Sequence, residues 1–332
     1  MPVFTGNFFL SPSMKDHPGI LFFGTPEIAV ASLQSIINAG YKISGVVTAP
    51  DRLAGRGLKV RFSPVKEFAL QHHLLLLQPV NLKDPDFHNQ LRLIAPDIQV
   101  VVAFRMLPKE VWSIPPMGTF NLHASLLPDY RGAAPINWAL INGETETGVT
   151  TFFIDEKIDT GNIIYRTPIR IDPEETAGEL HDKLMTEGAK LVVQTIESIE
   201  SGNVSIHSQD EFYGQGSKPL KTAPKINKED CRVNWDNDAS PVFDFIRGLS
   251  PHPGAFTELT SMDGTVFSLK IFRSHPEIGT RTLPVGSIVS DGKTYLKVAV
   301  RNGFILLCEV QPAGRKVMSS VDFLKGYGMH FV

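Results

Sequence analysis

The chain has 332 residues, 42% of them hydrophobic and 20% charged, with a formal net charge of −3 and two cysteines. That length suits two domains of roughly 100–200 residues each, and no apolar run approaches the roughly 20 residues that span a bilayer. The charge excludes a global attraction to nucleic acid, and Cys231 and Cys308 offer neither a disulfide framework nor a metal-ligand spacing with histidine, so a reducing, cytoplasmic setting is expected.

Residues 1–13 lack a basic start, a long apolar core and a clear small-residue cleavage site, which makes them a poor secretory signal. A fold-like pattern begins near Gly19, so residues 1–18 are read as a disordered extension. From there the chain alternates in the α/β manner. The apolar run Ile20–Phe23 predicts a strand ended by Gly24-Thr25-Pro26. Ile28, Ala29, Leu33, Ile36 and Ile37 recur at helical spacing, and Gly40 stops that helix. Ile43–Thr48 predicts a strand, Pro64–Gln71 a helix, and Leu74–Leu77 a buried extended element. Phe87–Ala95 predicts a helix and Val100–Phe104 a buried strand. This succession predicts an α/β unit, a mostly parallel open sheet with helices on both faces. Such sheets hold ligands outside the carboxyl ends of their strands.

Downstream, Ile136–Asn142 reads as a helix, Val149–Ile154 and Ile163–Ile171 as strands, and Thr176–Ser198 as a long helix. Leu180, Leu184, Leu191, Val192 and Ile196 mark that helix's core side. The Gly-, Pro- and Lys-rich stretch Gly214–Lys228 reads as a linker. Beyond it come a short helix over Val242–Arg247 and short strands parted by Asp263-Gly264, Asp291-Gly292 and Asn302-Gly303, the pattern of a small β-barrel. From Ser205 onward there are 15 Lys and Arg against 13 Asp and Glu, while the front part has 17 against 22. That division is either ordinary surface variation or a weakly basic module that holds a polyanion.

The segment Asn121–Pro135 carries the chemistry. Its sequence is Asn-Leu-His-Ala-Ser-Leu-Leu-Pro-Asp-Tyr-Arg-Gly-Ala-Ala-Pro. In an extended chain Asn121 and His123 leave the same face. An amide donor and a titratable ring aimed at one point can polarise a carbonyl and move a proton there. Singly, such a histidine is more often packed than catalytic, and such an asparagine is usually a turn residue. Asp159, just before Thr160-Gly161, is either a turn cap or a carboxylate that orients the imidazole. Gly24-Thr25-Pro26 lacks the glycine pattern of a dinucleotide fingerprint, which weighs against a nicotinamide enzyme.

Asn121–Pro135, with Ile158-Asp159-Thr160-Gly161, resembles the core of the formyltransferases that use 10-formyltetrahydrofolate. The resemblance runs from about Ile20 to Lys325. It implies a catalytic trio of Asn121, His123 and Asp159, and a folate-site turn of Ser125, Leu126, Leu127 and Pro128. Phe23–Glu27, Pro50–Gly57, Ser63–Lys66 and Gln311–Met318 resemble more narrowly the branch that formylates methionyl initiator tRNA. The implied organisation is a Rossmann-like catalytic domain over 19–204, a linker over 205–228 and an OB-like tRNA-binding domain over 229–332. The co-substrate would be 10-formyltetrahydrofolate, with no metal, no NAD and no membrane partner, and a monomer is expected.

The implied reaction is attack of an aminoacyl α-amine on the formyl carbon. Asn121 and His123 would donate to the oxyanion, and Asp159 would hold His123 and accept the amine's proton. The basic segment Pro50–Arg61 by itself reads as a solvated loop. The resemblance makes it a loop that enters the tRNA acceptor stem, with Arg52, Arg56, Lys59 and Arg61 as its contacts. Lys218, Lys221, Lys225, Lys228, Arg315 and Lys316 could track the tRNA backbone. Ala103-Phe104-Arg105-Met106-Leu107 departs from the family's pattern beside the pterin pocket, so pterin contacts stay unassigned there and Arg105 is read as solvent-facing. Two rival readings are a sugar-nucleotide formyltransferase, which shares Asn-Leu-His and Ser-Leu-Leu-Pro, and a non-catalytic RNA-binding protein on the same scaffold. The basic loop and Gln311–Met318 favour tRNA; the intact trio favours catalysis.

Overall fold

The computed structural model describes residues 17–54, 59–213, 219–261, 264–280 and 283–331. Arg56, Lys218 and Asp263 lie outside these residues, as do residues 1–16 of the expected extension. Within the span expected to be an extension, Pro18 is buried and His17 pairs with Glu200 at 3.0 Å.

The first half alternates as the periodicity predicts. It runs β1 (Ile20–Gly24), α1 (Glu27–Asn38), β2 (Ile43–Val47), β3 (Arg52–Ala54), β4 (Lys59–Arg61), α2 (Pro64–Gln71), β5 (Leu76–Leu77), α3 (Pro85–Ile94) and β6 (Ile98–Val102). It continues with α4 (Lys109–Trp112), β7 (Thr119–His123), β8 (Arg131–Gly132), α5 (Pro135–Ile141), β9 (Glu146–Phe153), β10 (Ile163–Arg170) and α6 (Ala177–Glu200). Seven strands form one sheet in the order β10-β9-β7-β6-β1-β2-β5. Those from β7 to β5 are parallel, while β9 runs antiparallel to both β7 and β10.

β1 shows why the central strands are apolar at every position. Ile20 and Phe22 join one core with residues of α1 and α6, while Leu21 and Phe23 join another with residues of α3 and α4. Alternating side chains are thus buried on both faces of the sheet. Two expected elements differ. Leu74–Leu77 lies at the sheet edge rather than inside, with strand pairing at Leu76 and Leu77 and the Leu75 side chain left 52% exposed. β6 stops at Val102, short of the expected Phe104, because Ala103 adopts a left-handed φ of 48° that cannot continue a strand.

After α6 the chain stays on this sheet. His207 bridges Ile163, a 3₁₀ turn covers Gln209–Phe212, and β11 (Thr222–Ala223) pairs in parallel with β8. The stretch that composition marks as a linker is therefore partly a strand. The second half comprises α7 (Ala239–Gly248), β12 (Ala255–Thr260), β13 (Val266–Ile278), β14 (Ile288–Ser290), β15 (Leu296–Val300), β16 (Gly303–Pro312), β17 (Met318–Ser319) and α8 (Ser320–Tyr327). Its antiparallel sheet runs β12-β13-β16-β15-β14, with β17 on β16. Register shifts around Arg273 bend the long β13, and the sheet curls into a half-barrel. No helix among the described residues is long and apolar enough to cross a membrane.

The two sheets meet where α7 lies on α5. A Cβ at Gly248 would stand 2.8 Å from the Ile141 side chain, so only glycine permits this approach. The Asn137 amide donates to the Gly248 carbonyl at 2.7 Å. Arg247, 7% exposed, pairs with Asp244 at 2.7 Å and donates to the carbonyls of Asp172 and Glu175. Glu179 pairs with Arg273 across the same seam. Its carboxyl is held down to about 2, chiefly by the Thr176 backbone N–H and further by Arg273.

Replacing Arg247 with Met should strand the Asp244 carboxylate and two carbonyls without a donor. The expected cost is about 3 kcal/mol, the scale for removing one partner of a buried ion pair. Urea unfolding should show it as a lower midpoint at unchanged slope. An unshifted midpoint would mean that the seam does not depend on this cation.

Candidate active site

A cavity of about 710 Å³ opens at the carboxyl ends of β1, β6 and β7. That is where open α/β sheets present their ligand sites, because strand ends leave loops free to vary, and its size suits a small organic molecule. Residues 101–107 line one wall, 132–137 a second, and the loop 154–159 after β9 a third. Asn121, His123 and Asp159 all border it, so the structure brings the expected trio together. The two-residue spacing along β7 places Asn121 and His123 on one side of that strand, as expected.

The geometry around His123 is defined on both ring nitrogens. Nε2 lies 2.8 Å from the Tyr130 carbonyl oxygen. A carbonyl can only accept, so Nε2 carries a proton and Nδ1 is left for chemistry. Nδ1 stands 3.9 Å from Asp159 Oδ2, an ion-pair distance too long for a hydrogen bond. The same Oδ2 accepts from the Gly132 N–H at 3.0 Å. His123 is 6% exposed, which leaves little water to compete with these contacts.

Three of the five non-glycine residues with left-handed φ among the described residues cluster here: Ala103 at 48°, Tyr130 at 61° and Asp159 at 54°. Such conformations persist only where surroundings over-determine them, and they concentrate at functional sites. Ties around the Asp159 loop supply that constraint. Asp155 accepts from the Lys157 N–H and the Thr160 hydroxyl. Gly161 lets the loop close onto β9, since a Cβ there would fall 1.7 Å from the Phe153 carbonyl oxygen.

Ser125, Leu126, Leu127 and Pro128 do not border the cavity. The Ser125 hydroxyl donates to the Asp129 carbonyl, and Thr150 takes the Leu127 N–H while donating to the Ser125 carbonyl. Leu127 is fully buried with Phe152 and Ile163. These residues anchor the turn that follows His123. In this geometry the turn supports the cavity wall from behind.

Two residues that sequence reasoning missed hold the trio in place. Tyr130 supplies the carbonyl for His123 and sends its buried phenol to Glu144, which also pairs with Lys221. Burial, then the hydrogen bond to Glu144, pushes the phenol above its usual range. Lys221, expected to face tRNA, is thus engaged with the protein. Gln209 contacts the Asp159 loop from the segment after α6. Its distance along the chain left no local signal.

The expected basic loop is a hairpin, β3 paired with β4. Asp51 fixes its base by pairing with Lys66 at 2.6 Å and accepting from Gln78 at 2.9 Å. Arg52 and Arg61 are exposed. The Lys59 side chain, like the whole of Arg56, lies outside the described residues. Arg105 is exposed, as expected, yet it is also held by the protein. It lines the cavity and donates to the Pro79 and Val80 carbonyls at 2.7 and 3.0 Å. Burial, then the charge of Arg52, lowers its pKa. Cys231 and Cys308 lie outside the site, with thiol pKa values raised chiefly by burial.

A second hollow, also about 710 Å³, follows the seam between the sheets and shares Ile136, Asn137 and His181 with the first.

Residues 19–196 match the formyl transferase family, and 225–328 match the formyl transferase C-terminal domain. Methionyl-tRNA formyltransferase of Azobacteroides pseudotrichonymphae is 54% identical over 309 residues, covering 92% of this chain and 95% of its own. The protein of the same name from Bacteroides fragilis is 49% identical over 313 residues, 94% of this chain and 96% of its own. Among solved structures, HypX from Aquifex aeolicus in complex with tetrahydrofolic acid has a TM-score of 0.60 at 18% identity, over 94% of this chain and 47% of that one. The N-formyltransferase from Helicobacter canadensis, in complex with folinic acid and dTDP-3-aminofucose, has a TM-score of 0.61 at 21% identity, over 89% and 99%. These two show a shared fold. With both halves matched in order, and close relatives aligned along nearly its whole length, the chain belongs to the formyl transferase family.

Proposed function

We propose that the chain transfers a formyl group from 10-formyltetrahydrofolate to the free α-amine of methionyl initiator tRNA. The products are tetrahydrofolate and formylmethionyl-tRNA, the latter used in translation initiation. The convergence of Asn121, His123 and Asp159 on one cavity carries the chemistry. Near-full-length identity to proteins named methionyl-tRNA formyltransferase supports the acceptor.

The residues present fit a folate. Apolar walls such as Val102, Leu107, Phe152 and Ile154 suit a flat heterocycle, and polar groups converge at one end. Ser125–Pro128 serve this site by holding the wall behind it. As the amine nitrogen bonds to the formyl carbon, the Asn121 amide and the His123 Nδ1–H donate to the developing oxyanion. Donors aligned in advance favour this charge over the neutral carbonyl. Asp159, 3.9 Å from Nδ1, holds the ring in place and, directly or through water, takes the proton lost by the amine. The carbon–N10 bond then breaks, and the folate nitrogen leaves with a proton.

The seam hollow shares Ile136, Asn137 and His181 with the cavity, a suitable path for the aminoacyl end of the tRNA. In this reading residues 19–204 perform the transfer, and residues 229–332 hold the tRNA across the connecting segment. Arg52, Arg56, Lys59 and Arg61 approach its acceptor stem, and exposed Lys225 and Lys228 its backbone. All three catalytic groups come from one chain, so a monomer suffices, working in the cytoplasm where tRNA is charged.

Labelled formyl donor offered with methionyl-tRNA and an amino-sugar nucleotide in competition should label the tRNA. Label on the sugar instead would overturn the acceptor assignment. His123→Ala should lower turnover by about 10²–10³-fold, the usual loss for one oxyanion donor, with tRNA affinity in filter binding nearly unchanged. A parallel loss of affinity would make the histidine structural. The double variant Arg52→Ala, Arg61→Ala should raise KM for tRNA and flatten its salt dependence, by about one unit of slope per lost phosphate contact. KM for folate should hold, and unchanged tRNA kinetics would remove the hairpin from this account.

A further inference from the structure

We infer that Gln209, a residue of the segment joining the two halves, is the positioning residue for Asp159. The inference rests on the formyl-transfer reading and adds to it a part that neither half's own motifs contain. Gln209 is 4% exposed and opens a 3₁₀ turn whose backbone is set by Ser208 and Glu211 in a reciprocal cap. Its Nε2 donates to the Asp159 carbonyl at 2.9 Å and to the Gly161 carbonyl at 2.8 Å. Its Oε1 accepts from Arg131 Nε at 3.0 Å and from a second guanidinium nitrogen.

These partners are not a random set of buried polar groups. Two are backbone carbonyls of the Asp159 loop, where the φ of 54° at Asp159 is unfavourable for a residue with a Cβ. The third, Arg131, immediately precedes Gly132, whose N–H binds the Asp159 carboxylate. One side-chain amide thus holds both sides of the hydrogen bond that aims the carboxylate at His123. The Gly132 side is fixed again from the same segment. Ala223 pairs with Gly132, and a Cβ at Gly132, where φ is 127°, would fall 2.4 Å from the Ala223 carbonyl oxygen. A glutamine placed only to satisfy itself in the core would have no reason to bridge these two elements.

The test is a double-mutant cycle on the full chain, measured as kcat with saturating methionyl-tRNA and 10-formyltetrahydrofolate. Gln209→Ala should lower kcat by about 10²-fold, the scale of a small misplacement of a reacting group, with both KM values within about twofold. In an Asp159→Ala background the same change should lower kcat by less than about twofold, because no carboxylate is left to position. Equal fractional losses in both backgrounds would overturn the inference and leave Gln209 a packing residue. Gln209→Glu keeps the size and the Arg131 contact but turns an oxygen toward two carbonyls. It should fold with wild-type circular dichroism and lose as much turnover as Gln209→Ala; a full rate in that variant would also overturn the inference. Absence of transfer by the unmodified chain would overturn the functional reading together with it, whereas normal transfer with an additive cycle would overturn the inference alone.

Discussion

His123 sits between a carbonyl on one ring nitrogen and a carboxylate on the other, and the surrounding structure is organised to keep it there. The Tyr130 carbonyl fixes the proton on Nε2, which turns Nδ1 toward Asp159. Neither contact comes from a regular element alone. Tyr130 and Asp159 both occupy left-handed backbone conformations that their own side chains disfavour. The Glu144–Lys221 tie on one and the Gln209 and Gly132 ties on the other offset that cost with hydrogen bonds.

The sheet supplies the rigidity that this arrangement needs. β7 lies between β6 and β9, with ladders on both sides, so Asn121 and His123 are held at the end of a strand that cannot shift without breaking its neighbours. Alternate residues of β1 pack into separate cores on the two faces of the same sheet, which resists bending in either direction. Loops can then carry the reacting groups, because the frame beneath them does not move. The turn from Ser125 to Pro128 belongs to that frame, tied to Thr150 on the neighbouring strand β9.

The second half joins this frame through close backbone approach and one buried cation. Gly248 against Ile141 and Arg247 beneath the Asp172 and Glu175 carbonyls leave little freedom at the seam. The connecting segment adds β11 and Gln209 to the first sheet's own loops. A chain stretch whose composition suggests only a flexible tether therefore helps to shape the reacting centre. Composition records average solvation, and it is silent on which single residues of a polar segment turn inward.

Much of this was legible before any coordinates. Apolar periodicity is a local property, so Ile20–Phe23, Pro64–Gln71 and the long helix after Thr176 declared themselves within a few residues. The two-residue period of a strand was likewise enough to place Asn121 and His123 together. Other features depended on chain reversal. Leu74–Leu77 looks buried by its composition, yet the order of strands makes it an edge. Arg105 resembles any exposed arginine until the loop at Pro79 and Val80 folds beneath it. Asp159 could be a turn cap or a carboxylate beside the imidazole, and only the approach of its loop to β7 and β8 brings it to 3.9 Å from His123. The sequence by itself determined the layers and the pair of groups on β7, because both follow from repeats along the backbone. Tertiary structure alone decided which ring nitrogen of His123 is tied to a carbonyl and the parts taken by Tyr130 and Gln209, since those contacts run through backbone carbonyls, which every residue possesses and no side-chain pattern announces.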